Sequence, residues 1–237
     1  MEIYKLKDNT SAARITDIKQ AVRNENRVNI YVNGEYSFSL DIAQVVELGV
    51  KVGKSITEAE LAEFKKASEF GKVYQRALEW VLMRPRSVRE LRDYLKRRAL
   101  TSAAKERKHE WEAEKEGKKV HTAKARYNFD DLIVERLTKR GYVDDVKFAK
   151  YFVENRFVKK GVSGKRLSQE LMKKGISKDI IEDVLGDSAR NDEEEILKII
   201  AKKRAKYDDA KLIQYLCRQG FSYELSRELV ARSSETD

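Results

Sequence analysis

Proline occurs once in this sequence of 237 residues, cysteine once and histidine twice. One proline and eleven glycines are too few for a loop-rich or all-β fold, and they leave room for long helices. The single thiol, Cys217, allows no disulfide within the chain and suits a reducing compartment. His109 and His121 both sit in a charged stretch with no second cysteine to complete a zinc-ligand spacing, so no metal or cofactor is expected. No apolar run approaches the roughly 18 residues of a membrane span. Met1–Asp8 alternates apolar and charged residues and lacks a signal-peptide core. A cytoplasmic protein without membrane contact is the expectation. Gly161-Val162-Ser163-Gly164 does not have the spacing of a phosphate-cradling loop.

What the chain has in excess is charge. Charged residues make up 38% of it, against about 25% in ordinary domains, and the net charge is +10. Residues 1–71 hold 10 Lys/Arg against 11 Asp/Glu, so the other 40 Lys/Arg and 29 Asp/Glu give residues 72–237 a net of +11. A basic domain of this kind suits nucleic acid, an anionic surface or an acidic protein.

The first segment reads as a small antiparallel sheet. Val28, Ile30 and Val32 alternate with polar residues, Asn33-Gly34 is a strong hairpin signal, and Tyr36, Phe38 and Leu40 alternate on the return. Arg14–Val22 supplies a third strand, joined by the polar loop from Arg23 to Arg27. A short helix follows from Asp41 to Gly49, and Thr57-Glu58-Ala59-Glu60 is a capping box that opens a second helix, with a bend expected at Gly71.

Beyond residue 72 the pattern is helical and repeats. Leu167, Leu171 and Gly175 precede Ile176; Leu212, Leu216 and Gly220 precede Phe221; Leu91, Leu95 and Ala99 precede Leu100. Each is an apolar i, i+4 pair followed by a helix stop. Upstream, Ala77-Trp80-Val81-Arg84 aligns with Ala149-Phe152-Val153-Arg156 and with Leu197-Ile200-Ala201-Arg204. Downstream, Ile133 and Leu137 align with Ile180 and Val184, then Leu225 and Leu229. The period is about 45 residues, longer than the 33–34 of ankyrin or tetratricopeptide units. The fold class is therefore mainly α: three tandem three-helix repeats preceded by a small N-terminal antiparallel β-sheet segment. The expected division is 1–71 for the β-hairpin and helix segment, then 72–141, 142–186 and 187–237 for the repeats. The first repeat carries a charged insertion at about 101–128, read as a surface excursion with Trp111 as its one large apolar residue.

Asp130-Asp131, Asp144-Asp145 and Asp208-Asp209 each stand before an apolar helical run, so helix capping explains them better than catalysis does. Cys217 aligns with Met172 and reads as a core-filling residue. Nothing suggests an enzyme. The basic residues remain as candidate partner- or nucleic-acid-binding groups. They are Arg84 and Arg86 in the first repeat, Arg156, Lys165, Arg166, Lys173 and Lys174 in the second, and Lys202, Lys203 and Arg204 in the third.

Arg84-Pro85-Arg86-Ser87-Val88-Arg89-Glu90-Leu91 begins an ordered set of motifs. Gly141-Tyr142-Val143-Asp144-Asp145, Phe148-Ala149, Arg156, Gly164-Lys165-Arg166-Leu167, Glu170-Leu171 and Lys174-Gly175-Ile176 continue it. Together they resemble the RecX regulatory family over residues 72–232, and the N-terminal hairpin resembles the extension of longer members. The resemblance implies a non-enzymatic protein, and a monomer without cofactors is the expectation. It implies binding to the RecA recombinase and its filament, with single-stranded DNA as a further candidate partner, and a role in recombination and repair. The insertion is longer than the family leads one to expect. The competing expectation is a direct DNA-binding protein whose three-helix units act as helix-turn-helix modules.

Overall fold

A computed structural model describes residues 13–22, 24–116 and 127–234. Met1–Asp8, Arg23, His121 and the 117–126 part of the charged insertion lie outside the described residues. The chain divides into two compact units, one reaching Glu79 and including the short segment that ends at Phe129, the other comprising the rest.

In the first unit, β1 (Ala13–Ala21), β2 (Asn24–Val32) and β3 (Glu35–Asp41) form an antiparallel meander, and β4 (Ser55–Ile56) pairs with β1 to give the order β3-β2-β1-β4. Asn33 and Gly34 both have positive φ, 52° and 87°, as a two-residue hairpin turn requires. β2 begins at Asn24 rather than Val28, because the ladder extends through polar residues to an Ala21–Asn24 pair. The two residues of β4 are too few to show alternation. An Asp41–Gln44 capping box starts α1 (Ile42–Glu47), and the Thr57–Glu60 box starts α2 (Glu58–Leu82). α2 passes through Gly71 as one helix and lays Phe64 over the core of Ile15, Ile30, Phe38, Leu40 and Ile56.

The second unit holds α3 (Val88–Lys115), α4 (Asp130–Lys139), α5 (Asp145–Asn155), α6 (Gly164–Lys173), α7 (Lys178–Gly186), α8 (Asp192–Lys203), α9 (Asp209–Arg218) and α10 (Tyr223–Ser234). One core gathers Phe148, Val153, Leu167, Leu171, Ile176, Ile181 and Val184 from α5–α7, and another gathers Ile196, Ile200, Leu212, Leu216, Phe221 and Leu229 from α8–α10. Leu91, Leu95, Ile133 and Leu137 are likewise buried on α3 and α4. No helix among the described residues is long and apolar enough to cross a membrane.

Three expectations need correction. Ile196 and Ile200 face the core while Leu197 is 47% exposed, so the correct alignment of α8 with α5 is one residue earlier. Lys203, not Arg204, then matches Arg156. Second, α3 does not stop at Ala99, which lacks the freedom of the glycines at 175 and 220. The helix runs on to Lys115 and leaves Leu100 66% and Trp111 61% exposed. Third, Met172 is 48% exposed and Cys217 half-buried, so that position faces outward and does not fill the core.

The repeats meet through a joint that occurs twice. The Ser163 hydroxyl accepts from the Arg166 N–H, capping α6, and donates to the Gln219 carbonyl at the end of α9 (2.7 Å). Ser87 does the same one repeat earlier, accepting from Glu90 N–H and donating to the Lys174 carbonyl (2.8 Å). Asp192 accepts from the Gly164 N–H, and Asp145 accepts from the Val88 N–H, both at 2.9 Å. Each joint thus satisfies groups that helix ends leave open. It also brings the ends so close that a Cβ on Gly175 would lie 2.8 Å from Arg89 Cβ, and one on Gly220 2.7 Å from Ser163 Oγ. At the second joint, buried Glu195 accepts from Val162 N–H, Arg190 and Lys198, while Arg190 also donates to the carbonyls of Val153 and Arg156.

Two predictions follow from the packing. Leu171→Ala should lower stability by about 2–5 kcal/mol, whereas Trp111→Ala should leave the melting temperature within a degree or so of wild type, roughly the scale of neutral surface changes. Thermal unfolding of the two variants checks both. Burial opposes ionisation of Glu195, but its hydrogen bonds from Arg190, Lys198 and Val162 outweigh this and hold its carboxyl below the ordinary 4.5. A depressed folded value stabilises the fold above the unfolded pKa and ceases to do so as pH falls through the folded one. Glu195→Gln should therefore cost about 3 kcal/mol at neutral pH, and the gap in urea midpoints should close as pH drops below about 4.5.

Candidate functional site

The joints place the ends of successive helices side by side, and a groove runs along them. Its first cavity, about 330 Å³, is lined by Arg84, Glu90, Phe148, Tyr151, Phe152, Arg156, Glu170, Lys173 and Lys174. The second, about 430 Å³, is lined by Lys165, Arg166, Gln169, Glu170, Lys173 and the α9 end from Cys217 to Gly220. Glu170 and Lys173 line both, so the two cavities are adjacent.

Six of the ten residues singled out from the sequence line this groove: Arg84, Arg156, Lys165, Arg166, Lys173 and Lys174. The other four do not. Arg86 is 13% exposed and its guanidinium lies 3.9 Å from the Trp80 ring centroid, where burial lowers its pKa. Arg204 pairs with Asp209 at 3.0 Å and borders a different depression, with Leu197 and Leu229. Lys203 sits over the rings of Tyr207 and Tyr215, and Lys202 projects from the exposed side of α8.

The groove holds two carboxylates; Glu170 is shared by two cations and Glu90 by three, with Arg86 the most distant at 3.9 Å. Glu90 receives both terminal nitrogens of Arg84 (3.1 and 3.3 Å) and Lys174 Nζ (2.7 Å). Glu170 receives Arg156 Nε (2.7 Å) and Arg166 Nε (3.3 Å). Partial burial alone would raise both carboxyls, but these cations hold each below its usual range. Arg166 also bonds the Gln219 side chain across the joint. Lys165 and Lys173 are exposed and form no ion pair among the described residues. The groove is therefore net positive after its acids are matched.

Arg156 is fixed from two sides. Its guanidinium lies 3.8 Å from the Phe157 ring centroid, and Arg166 lies 5.4 Å from the same ring. Phe157 takes a positive φ of 51°, a conformation that costs a bulky residue energy and that cation–π stacking helps offset. Arg218 was missed from the sequence. It stands in the repeat where Lys173 does, two residues after Leu216 as Lys173 is two after Leu171, so the repeat alignment contained the signal.

Two family models match this chain: the regulatory protein RecX N-terminal domain over residues 13–57, and the second three-helix domain of RecX over residues 144–185. A regulatory protein RecX from Listeria monocytogenes serotype 4a is 28% identical over 234 residues, covering 94% of this chain and 77% of that protein. The RecX of Bacillus licheniformis is 27% identical over 231 residues with the same coverage. A crystal structure of regulatory protein RecX shares the fold with a TM-score of 0.64 at 21% identity, covering 92% of this chain and 98% of that one. The structure of RecX from Lactobacillus salivarius has a TM-score of 0.50 at 22% identity over 70% of this chain and 97% of that one. The sheet falls within the first of these family models and the second repeat within the other, and over 94% of its length the chain is similar to proteins named regulatory protein RecX.

Proposed function

We propose that this protein is a non-enzymatic regulator that binds the RecA recombinase and its filament on single-stranded DNA, and through it modulates recombination and DNA repair. The observation that carries the reading is the groove, whose acids are neutralised internally and whose surplus cations face outward. Such a surface suits a partner with repeated negative charge. The regulatory name shared by the relatives supports the same reading. Glu90 and Glu170, each held ionised by neighbouring cations, are poor proton donors near neutral pH, which favours binding over general-acid chemistry.

A helix-turn-helix reader of duplex DNA fits less well. The last helix of each unit would have to enter the major groove by its N-terminal end. Those ends carry acids here: Asp130 and Asp131 on α4, Asp179 on α7 and Glu224 on α10. They would meet phosphates with the wrong sign.

Lys165 and Lys173 are the residues to test, because reversing Arg156 or Arg166 would also strip Glu170 of its partners. Lys165→Glu with Lys173→Glu should weaken binding to RecA–single-stranded-DNA filaments about tenfold or more near physiological salt, and wild-type binding should fall steeply as salt rises. The melting temperature should not change. RecA ATPase on single-stranded DNA, titrated with each protein, gives the measurement. An unchanged titration curve for the double variant would remove the groove from the mechanism.

A further inference from the structure

The groove's two halves differ in chemistry. In the first, Phe148, Tyr151 and Phe152 lie at i, i+3 and i+4 on α5 and make an aromatic wall. Phe148 and Phe152 are fixed in the core with centroids 5.8 Å apart, while Tyr151 is half-buried at the cavity surface. The Arg156 guanidinium borders the same wall, 5.6 Å from the Phe152 ring. In the second half the lining is polar. Lys165, Gln169 and Lys173 follow at i, i+4 and i+8 on α6, a track of about 12 Å at 1.5 Å per residue, with Arg218 across from it.

We infer that this groove binds single-stranded nucleic acid directly, with Tyr151, Phe152 and Arg156, which line the first cavity together, forming a nucleobase subsite and the Lys165–Gln169–Lys173 face of α6 carrying the phosphates. The inference deepens the function proposed above by giving the protein its own contact with the strand, and it does not require the recombinase. The cavity volume of about 330 Å³ lies at the small end of ligand sites, roughly 300–1,000 Å³, which suits one splayed nucleotide. An aromatic ring next to a guanidinium plane accepts the flat face of any base, and a line of cations follows a backbone of regular charge. An acidic peptide would satisfy the cations alone. The groove gives its backbone no strand edge to pair with, since helices form both walls and their backbone groups are bonded internally.

The test uses the full chain, without recombinase, and two fluorescent oligomers of equal length: oligothymidylate and an abasic oligomer with the same phosphates. By anisotropy, wild type should prefer oligothymidylate about tenfold. Tyr151→Leu keeps apolar volume but removes stacking, and it should bind both oligomers equally. Tyr151→Phe should restore the preference. Lys173→Glu should weaken both oligomers by the same factor. Equal wild-type affinity for the two, or a preference that survives Tyr151→Leu, overturns the base subsite. Binding of a Glu/Phe peptide in place of either oligomer overturns the choice of nucleic acid. RecA ATPase titrated in parallel separates the two ideas. Loss of oligomer discrimination with an intact effect on RecA sinks this inference alone, and oligomer discrimination without an effect on RecA sinks only the proposed regulation.

Discussion

The serine that caps the second helix of one repeat and donates to the carbonyl ending the second helix of the next is the contact on which the rest of this architecture depends. Ser87 and Ser163 each join two helix termini with one hydroxyl. A helix end has open N–H groups and its opposite end open carbonyls. Setting one against the other, with an aspartate taking the first N–H, lets polar termini pack closely without leaving buried groups unsatisfied. It also fixes geometry. Gly175 and Gly220 have no room for a Cβ at the joint, so the distance between successive second helices is set by backbone contact and not by side chains that could repack.

That geometry decides the character of the groove. The C-terminal ends of α6 and α9 carry Lys174 and Gln219, and the N-terminal ends of α3 and α6 carry Glu90 and Arg166. The joint makes these meet as Glu90–Lys174 and as Arg166–Gln219. The polarity is reversed between the two joints, yet both close the gap with a side-chain bond. A cationic face follows because the repeat places Lys173 and Arg218 beside those closures, and neither forms an ion pair among the described residues.

Much of the fold was legible in the sequence because the apolar spacing of Leu167/Leu171 and Leu212/Leu216 is strict and is followed each time by glycine. Asp144 and Asp208 were legible as caps because the N–H groups they accept lie two and three residues onward in sequence. Asp145 and Asp192 were not, since their N–H donors are 57 and 28 residues away. The slip in α8 has a plain cause. Ile196-Leu197 and Ile199-Ile200-Ala201 offer two adjacent apolar stripes, and periodicity alone cannot choose between them, whereas burial chooses the first. The extension of α3 was hidden by Leu100, which resembles Ile176 in spacing but follows Ala99, a residue that continues a helix as readily as it ends one. In the groove the cations were visible and their pairing was not. Arg84 and Arg156 read as surface charge until the structure set each against a carboxylate.

The division between arginine and lysine explains which of those charges are available. A guanidinium is a planar fork that binds a carboxylate in fixed geometry and stacks on rings, while an ammonium is a compact charge on a flexible stem. Arg84, Arg156 and Arg166 use their forks on Glu90 and Glu170, and Arg156 also rests on Phe157. They hold the corner between first and second helices, so their contribution to a partner comes through field more than contact. Lys165 and Lys173 stand on α6 without such duties and can follow a phosphate as it moves. A partner held mainly by those lysines is held by interactions that salt screens and that cost little to remake at a neighbouring position. A surface of that kind suits a polymer of repeating charge, along which a regulator has to find its place, better than it suits a single rigid docking site.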